Sequence, residues 1–191
     1  MIVRLCWYYG LWNTAGIFST LQTYLQQEGW SVHALSMTPN NGDAPLETLA
    51  EQLDCFVCDR LGAQEPFDVV GFSMGGLVSR YYVQRLDRLN RVQKLVTVST
   101  PHQGTLLSLF SHRLGIRQMQ PRSTFLRALN QDCHRLEQLK FVSLWTPFDV
   151  LILPPWSCDP GIGQVRRLSI PTHNQMIRDT QGLAAIAQAL R

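Results

Sequence analysis

The sequence predicts an α/β fold, a parallel sheet of roughly six strands with helices on both faces. Three observations carry this. Short β-prone apolar runs alternate with helical segments from one end of the chain to the other. Those runs are near-continuously apolar, as in strands buried on both faces of a parallel sheet. One of them, in "DVVGFSMGGLVSR" (68–80), breaks into a glycine-rich turn just before a helix. The length of 191 residues, with 45% hydrophobic and 16% charged, fits one globular domain spanning 1–191.

The elements follow in order. "IVRLCWYY" (2–9) reads as the first strand. A helix runs from about Thr14 to Glu28, with Asn13 or Thr14 as its cap and Gly29 at its end. "SVHALSM" (31–37) is the second strand. The following helix takes Asp43 as its cap, Pro45 in its first turn and Gly62 as its stop. "FDVVGF" (67–72) is the third strand, and the helix after Ser73 runs to about Leu89. "VQKLVTVST" (92–100), "LKFVSLW" (139–145) and "QVRRLSI" (164–170) are the remaining strands, and a helix from about Thr180 to Leu190 ends the chain. Residues 104–138 are helical pieces broken at Gly115 and Pro121, long enough for a small flap over 104–135 but not for a large cap domain.

Composition excludes several classes. A net charge of +3 without a basic run argues against nucleic acid. No apolar stretch reaches the ~18 residues of a membrane span. The N-terminus has an arginine within its apolar run and no small-residue cleavage site, so it reads as a strand, and the expected location is cytoplasmic. Five cysteines without a secretion signal read as free thiols. The C-x-x-C of Cys55 and Cys58 has no companion ligand pair and reads as two small buried residues one helical turn apart.

The chemistry is concentrated at the strand ends. Gly71-Phe72-Ser73-Met74-Gly75 is a G-x-S-x-G between a strand and a helix, the pattern of a nucleophile elbow. The small residues at Gly71 and Gly75 avoid a collision of strand with helix, and Gly76 lets the helix pack close. A serine needs a base, and the base an orienting acid, in the chain order Ser, acid, His. Of the five histidines, His173 in "SIPTHNQMIRD" follows the last strand, and His102 in "STPHQGT" is its rival. Asp149, between Phe148 and Val150, follows the fifth strand; Asp159 in a D-P-G turn is the alternative acid, and Asp132 precedes the strand. The oxyanion donors fall to the backbone N–H of Met74 and of Leu11, with Trp12 as alternate.

These pieces resemble the α/β-hydrolase superfamily, and within it the small bacterial triacylglycerol lipase-like esterases. The likeness runs through "YYGLWNTA", "VVGFSMGGLVSRYY", "LVTVSTPHQGT", "SLWTPFDVLILPP" and "PTHNQMI", over nearly the whole chain. Two positions depart from it: Tyr9-Gly10 stands where such lipases carry His-Gly, and Phe72 where they often carry His. The resemblance implies a minimal α/β-hydrolase with Ser73 as nucleophile, Asp149 as acid and His173 as base, and a lipase or esterase activity without metal or organic cofactor.

Apolar residues on the same loops suit an apolar acyl group. Trp12, Phe72, Leu106, Phe148, Leu151 and Met176 are the expected substrate contacts. The arginines of 104–135 suit either a flap that meets an anionic lipid surface or a solvated helix face. An acyltransferase or thioesterase with the same three residues is the alternative activity, and a non-catalytic binding module is a further one.

Overall fold

The computed structural model describes the backbone of residues 4–8 and residues 18–62 and 64–191 in full. The strands are β1 (Arg4–Tyr8), β2 (Ser31–Leu35), β3 (Phe67–Phe72), β4 (Val92–Val98), β5 (Lys140–Trp145) and β6 (Gln164–Arg167). They lie in the order β2-β1-β3-β4-β5-β6, and every neighbouring pair is parallel. The helices are α1 (Ser19–Gln27), α2 (Leu46–Leu61), α3 (Met74–Arg85), α4 (Leu114–Gln118), α5 (Thr124–Gln131) and α6 (Thr180–Leu190). The α/β class with a parallel sheet and surrounding helices is thus the one expected.

Side chains alternate across the sheet because successive Cβ atoms point to opposite faces. Val69, Leu95 and Phe141 join a core with Leu49, Leu53 and Val57 of α2 and Leu77 and Val78 of α3. Their neighbours Val70, Val96 and Val142 face the other way and pack with Leu21 and Leu25 of α1 and Ile186 and Leu190 of α6. Burial on both faces is why β3 is apolar along nearly its whole length, with every residue buried.

Several boundaries differ from the sequence expectation. Asp43 does not cap α2: Pro45 holds that position, and Asp43 pairs with Arg113 at 2.8 Å. The Leu46 N–H at the start of α2 instead donates to Gln118 Oε1 of α4 at 2.7 Å, a cap supplied from 72 residues away. Helix α3 stops at Arg85 and not near Leu89; Asp87 takes a positive φ of 54° and accepts from Arg135. The middle region resolves into α4 and α5 between short 3-10 turns at Leu106–Phe110 and Cys133–Gln138. Cys55 is exposed and Cys58 half-buried, so the C-x-x-C pair is not the buried pair expected. The expected cap at Asn13 or Thr14 lies outside the described residues.

At the amino end of the sheet, remote from the strand ends that carry Ser73 and His173, Asp68 on β3 is fully buried. Its carboxylate lies 3.8 Å from the Lys94 ammonium on β4, too far for a hydrogen bond. Burial raises its pKa to about 6, and the nearby Lys94 offsets this only in part. A raised pKa means that the folded chain holds this proton more tightly than the unfolded chain between pH ~4 and ~6. Stability contributed here therefore falls as pH rises through that window. The stability of the native chain minus that of Asp68→Asn is expected to drop by about 2 kcal/mol between pH 4 and pH 7. Urea unfolding of both proteins across that range measures it; a flat difference would refute the account.

Candidate active site

Ser73 sits between β3 and α3 with φ 54° and ψ −126°, a left-handed-region φ that a side chain rarely adopts. Two close approaches impose the turn. A Cβ on Gly71 would lie 2.5 Å from Gly76 Cα, and a Cβ on Gly76 would lie 2.0 Å from Thr100 Oγ1. The turn is tied to the sheet by the Ser73 N–H, which donates to the Val98 carbonyl at 2.8 Å. Met74 is the first residue of α3, so its N–H has no acceptor within the helix and lies at the positive end of the helix dipole.

Asp149 lies in the loop after β5 and is almost fully buried. Its Oδ1 accepts from the N–H groups of Leu151 at 2.9 Å and Ile152 at 3.0 Å. That leaves Oδ2 aimed at His173 Nδ1, 2.6 Å away, on the loop after β6. With Nδ1 donating to the carboxylate, Nε2 is the unprotonated nitrogen of the neutral ring. Ser73 and His173 line one cleft of about 440 Å³, together with Thr105, Leu107, Phe110, Ile116, Met119 and Leu151. That volume is within the range of small-molecule sites. Two larger depressions, about 560 and 830 Å³, lie against α5 and contain neither Ser73 nor His173.

Other expected residues are placed differently. Phe72 and Met176 were expected against substrate, but both are fully buried. The Phe72 ring packs on the His173 imidazole with centroids 4.6 Å apart and on Phe18 at 5.8 Å, so it supports the ring from below. Met176 belongs to the α1–α6 core. Leu106 and Phe148 are exposed and do not line the cleft, whereas Leu151 does. Leu11 and Trp12 lie outside the described residues. The rival acid Asp159 accepts from the Gly161 N–H at 2.7 Å, as a turn residue does, and Asp132 pairs with Arg85.

His102 is fully enclosed and has both ring nitrogens engaged, Nδ1 by Arg80 at 3.2 Å and Nε2 with Thr97 Oγ1 at 3.0 Å. Arg80 donates to Nδ1, so Nε2 carries the proton, and burial with the adjacent Arg80 cation holds the pKa of His102 well below its ordinary value. Arg80 itself is wholly buried on α3 without a carboxylate. It donates to Gln84, Asn130 and the Leu129 carbonyl, each at 3.0 Å, and burial lowers its pKa to about 10. Sequence reasoning missed this arginine. It sits among apolar positions of α3, and that spacing was its one available signal. Thr105 was missed as well: its Oγ1 donates to the Leu151 carbonyl at 3.1 Å and accepts from Leu153 N–H at 2.9 Å, clamping the Asp149 loop.

A sequence model of the palmitoyl protein thioesterase family matches residues 10–120. The chain belongs to the palmitoyl protein thioesterase family, within the α/β-hydrolase superfamily. The family's name is that of a thioesterase, one of the alternatives, with acyltransferase, that the sequence leaves open beside the lipase-like esterases. No curated relative matches the chain in sequence. Among solved structures it is similar to a mature lipase of Bacillus licheniformis, with a TM-score of 0.80 and 13% identity over 99% of this chain and 92% of that one. It is also similar to lipase B of Aspergillus fumigatus, TM-score 0.78 and 16% identity over 99% of this chain and 52% of that one. A monoacylglycerol lipase of Paleococcus ferrophilus gives TM-score 0.76 and 14% identity over 98% and 93% of the two chains. At these identities the likeness is one of fold.

No helix among the described residues of this family member is long and apolar enough to cross a membrane. Removing the buried Arg80 would leave His102, Gln84, Asn130 and the Leu129 carbonyl without their shared donor. Arg80→Met is expected to lower the unfolding free energy by about 3 kcal/mol. Urea denaturation measures this, and a change below ~0.5 kcal/mol would mean that the network is not holding α3 to α5.

Proposed function

We propose that this palmitoyl protein thioesterase family member hydrolyses carboxylic esters or thioesters of apolar acyl groups through an acyl-enzyme on Ser73. The observation that carries the reading is the 2.6 Å contact of Asp149 with His173, whose ring shares the apolar cleft with a serine on a strained turn. In the proposed reaction His173 Nε2 takes the Ser73 proton as Oγ attacks the acyl carbonyl. Asp149 keeps the proton on Nδ1 and stabilises the imidazolium that forms. The Met74 N–H and a second donor, Leu11 or Trp12, hold the oxyanion. His173 returns the proton to the leaving alcohol or thiol, then activates water to release the acid.

The family match favours a thioester as the natural bond. The cleft favours an apolar acyl chain, since Leu107, Phe110, Ile116, Met119 and Leu151 line it beyond the serine. The same intermediate serves an acyltransferase if an acceptor replaces water, and an added alcohol or lipid acceptor separates the two by product.

The test is hydrolysis of a matched pair, one oxygen ester and one thioester with the same acyl chain, in short and long series. Ser73→Ala is expected to lose a factor on the order of 10⁴ to 10⁶ in kcat on both. Asp149→Asn is expected to lose roughly 10⁴ with little change in KM, because it leaves the ring in place but in the wrong tautomer. Activity surviving in Ser73→Ala, or none in the native chain on either series, would overturn the reading.

A further inference from the structure

Exposed apolar side chains are not scattered over this molecule. Among the described residues, every large exposed one except Val165 falls in two segments, 106–114 and 148–156. Phe110 is 86% exposed, Val150 68% and Trp156 67%, with Leu109, Leu114 and Phe148 beside them in the same segments. The segments are far apart in sequence but stitched together. The Leu106 N–H donates to the Leu153 carbonyl at 2.8 Å, the Gln103 N–H to the Ser157 carbonyl at 2.9 Å, and Thr105 Oγ1 joins Leu151 and Leu153. They form one apolar rim, and Leu107, Phe110 and Leu151 continue it into the cleft of Ser73 and His173. Contiguous exposed apolar surface of this kind marks an interaction site.

Charge says what meets it. No Asp or Glu occurs between Asp87 and Asp132, while Arg113, Arg117, Arg122 and Arg127 do. Arg113 is paired with Asp43. Arg117, Arg122 and Arg127 are exposed and have no ion pair among the described residues. Arg117 follows the rim residue Leu114 by one helical turn. Arg122 adjoins Pro121, whose backbone crowds Gly104 at the start of the rim. On the 106–127 side the aromatic and aliphatic tips are flanked by unpaired arginines, and on the 148–156 side Asp149 is buried and the exposed Asp159 accepts from the Gly161 N–H; such a composition suits a surface that sits in a lipid interface.

We infer that the 106–114 and 148–156 rim docks on an anionic lipid bilayer and seats the cleft mouth against it. An acyl chain then passes from the bilayer into the cleft without crossing water. The use of the cleft rests on the acyl-hydrolase reading above; the docking itself does not. Leu109, Val150 and Trp156 insert apolar surface, and the arginines attract the negative headgroups.

The experiment is vesicle co-sedimentation of the full chain carrying Ser73→Ala, so that turnover plays no part. The vesicles are phosphatidylcholine alone, and phosphatidylcholine with roughly a third phosphatidylserine. Binding is expected to the anionic vesicles and to weaken with salt. Leu109→Ser/Val150→Ser/Trp156→Ser should lower the partition coefficient at least roughly 100-fold. Arg117→Gln/Arg122→Gln/Arg127→Gln should lower it roughly five-fold per arginine on anionic vesicles, and little on neutral ones. Both triple variants, made with Ser73 intact, should keep native activity on a soluble short-chain ester, since none of these residues lines the cleft. No binding to either vesicle, or binding that the apolar triple variant leaves unchanged, overturns the inference. So does a rim-dependent dimer in sedimentation velocity with no vesicle binding, which would assign the rim to a second copy of the chain. An inactive native protein that still binds vesicles would sink the acyl-hydrolase reading and leave the docking standing.

Discussion

The contact on which the rest of the site depends is the close approach of two backbones at the end of β3. The absent side chain of Gly71 lets the strand run against the first turn of α3, and the absent side chain of Gly76 lets that helix meet Thr100. Together they force Ser73 into a positive φ, a conformation that costs of order 1–3 kcal/mol and persists only where the surroundings over-determine it. Here the surroundings are the hydrogen bond from Ser73 N–H to Val98, the buried β3 and the buried face of α3. The result is a serine presented at the carboxyl edge of a parallel sheet, where the strand ends leave room for a ligand, with the positive end of a helix beside it.

Two other strand ends bring His173, with Asp149 behind it, to the cleft that Ser73 lines, and different forces hold them. Asp149 is fixed by two amides of its own loop, and Thr105 clamps that loop through Leu151 and Leu153. His173 is fixed from one side by the carboxylate and from below by the Phe72 ring. Phe72, next to Ser73 in the chain, therefore packs under the His173 ring and does not face the cleft. Behind the serine, Arg80 ties α3 to α5 and to His102, so a buried cation satisfied by neutral acceptors braces the helix that starts at Met74.

Around this scaffold the surface is divided. The charged edge strand β6 and the polar outer faces of the helices are ordinary solvated surface. The apolar rim lies where two loops meet at the cleft mouth. The strand ends that position Ser73 and His173 also position the loops that carry the rim, so the apolar cleft and the apolar rim fall on the same side of the sheet.

The sequence by itself determined where the polar groups fall on the strand ends: a G-x-S-x-G at the end of an apolar run, a carboxylate after β5 and a histidine after β6. These were legible because each is a local signal, a glycine pair that only a tight turn needs or a polar residue at a strand end. It also determined the α/β class, since burial on both faces writes itself as continuous apolar runs at Val69–Val70, Leu95–Val96 and Phe141–Val142. What only the tertiary structure decided depends on contacts between distant segments. Gln118 caps α2 in place of Asp43, Arg80 reaches across to Asn130, and Thr105 holds the Asp149 loop. Phe72 and Met176 look like substrate contacts in sequence because they are apolar and close to Ser73 and His173 in the chain. Their burial follows from the direction in which each leaves its element, and one-dimensional spacing does not encode that direction. The rim was hidden for the same reason: its two halves lie some forty residues apart, and hydrogen bonds from Gln103, Thr105 and Leu106 to the 151–157 segment bring them onto one surface.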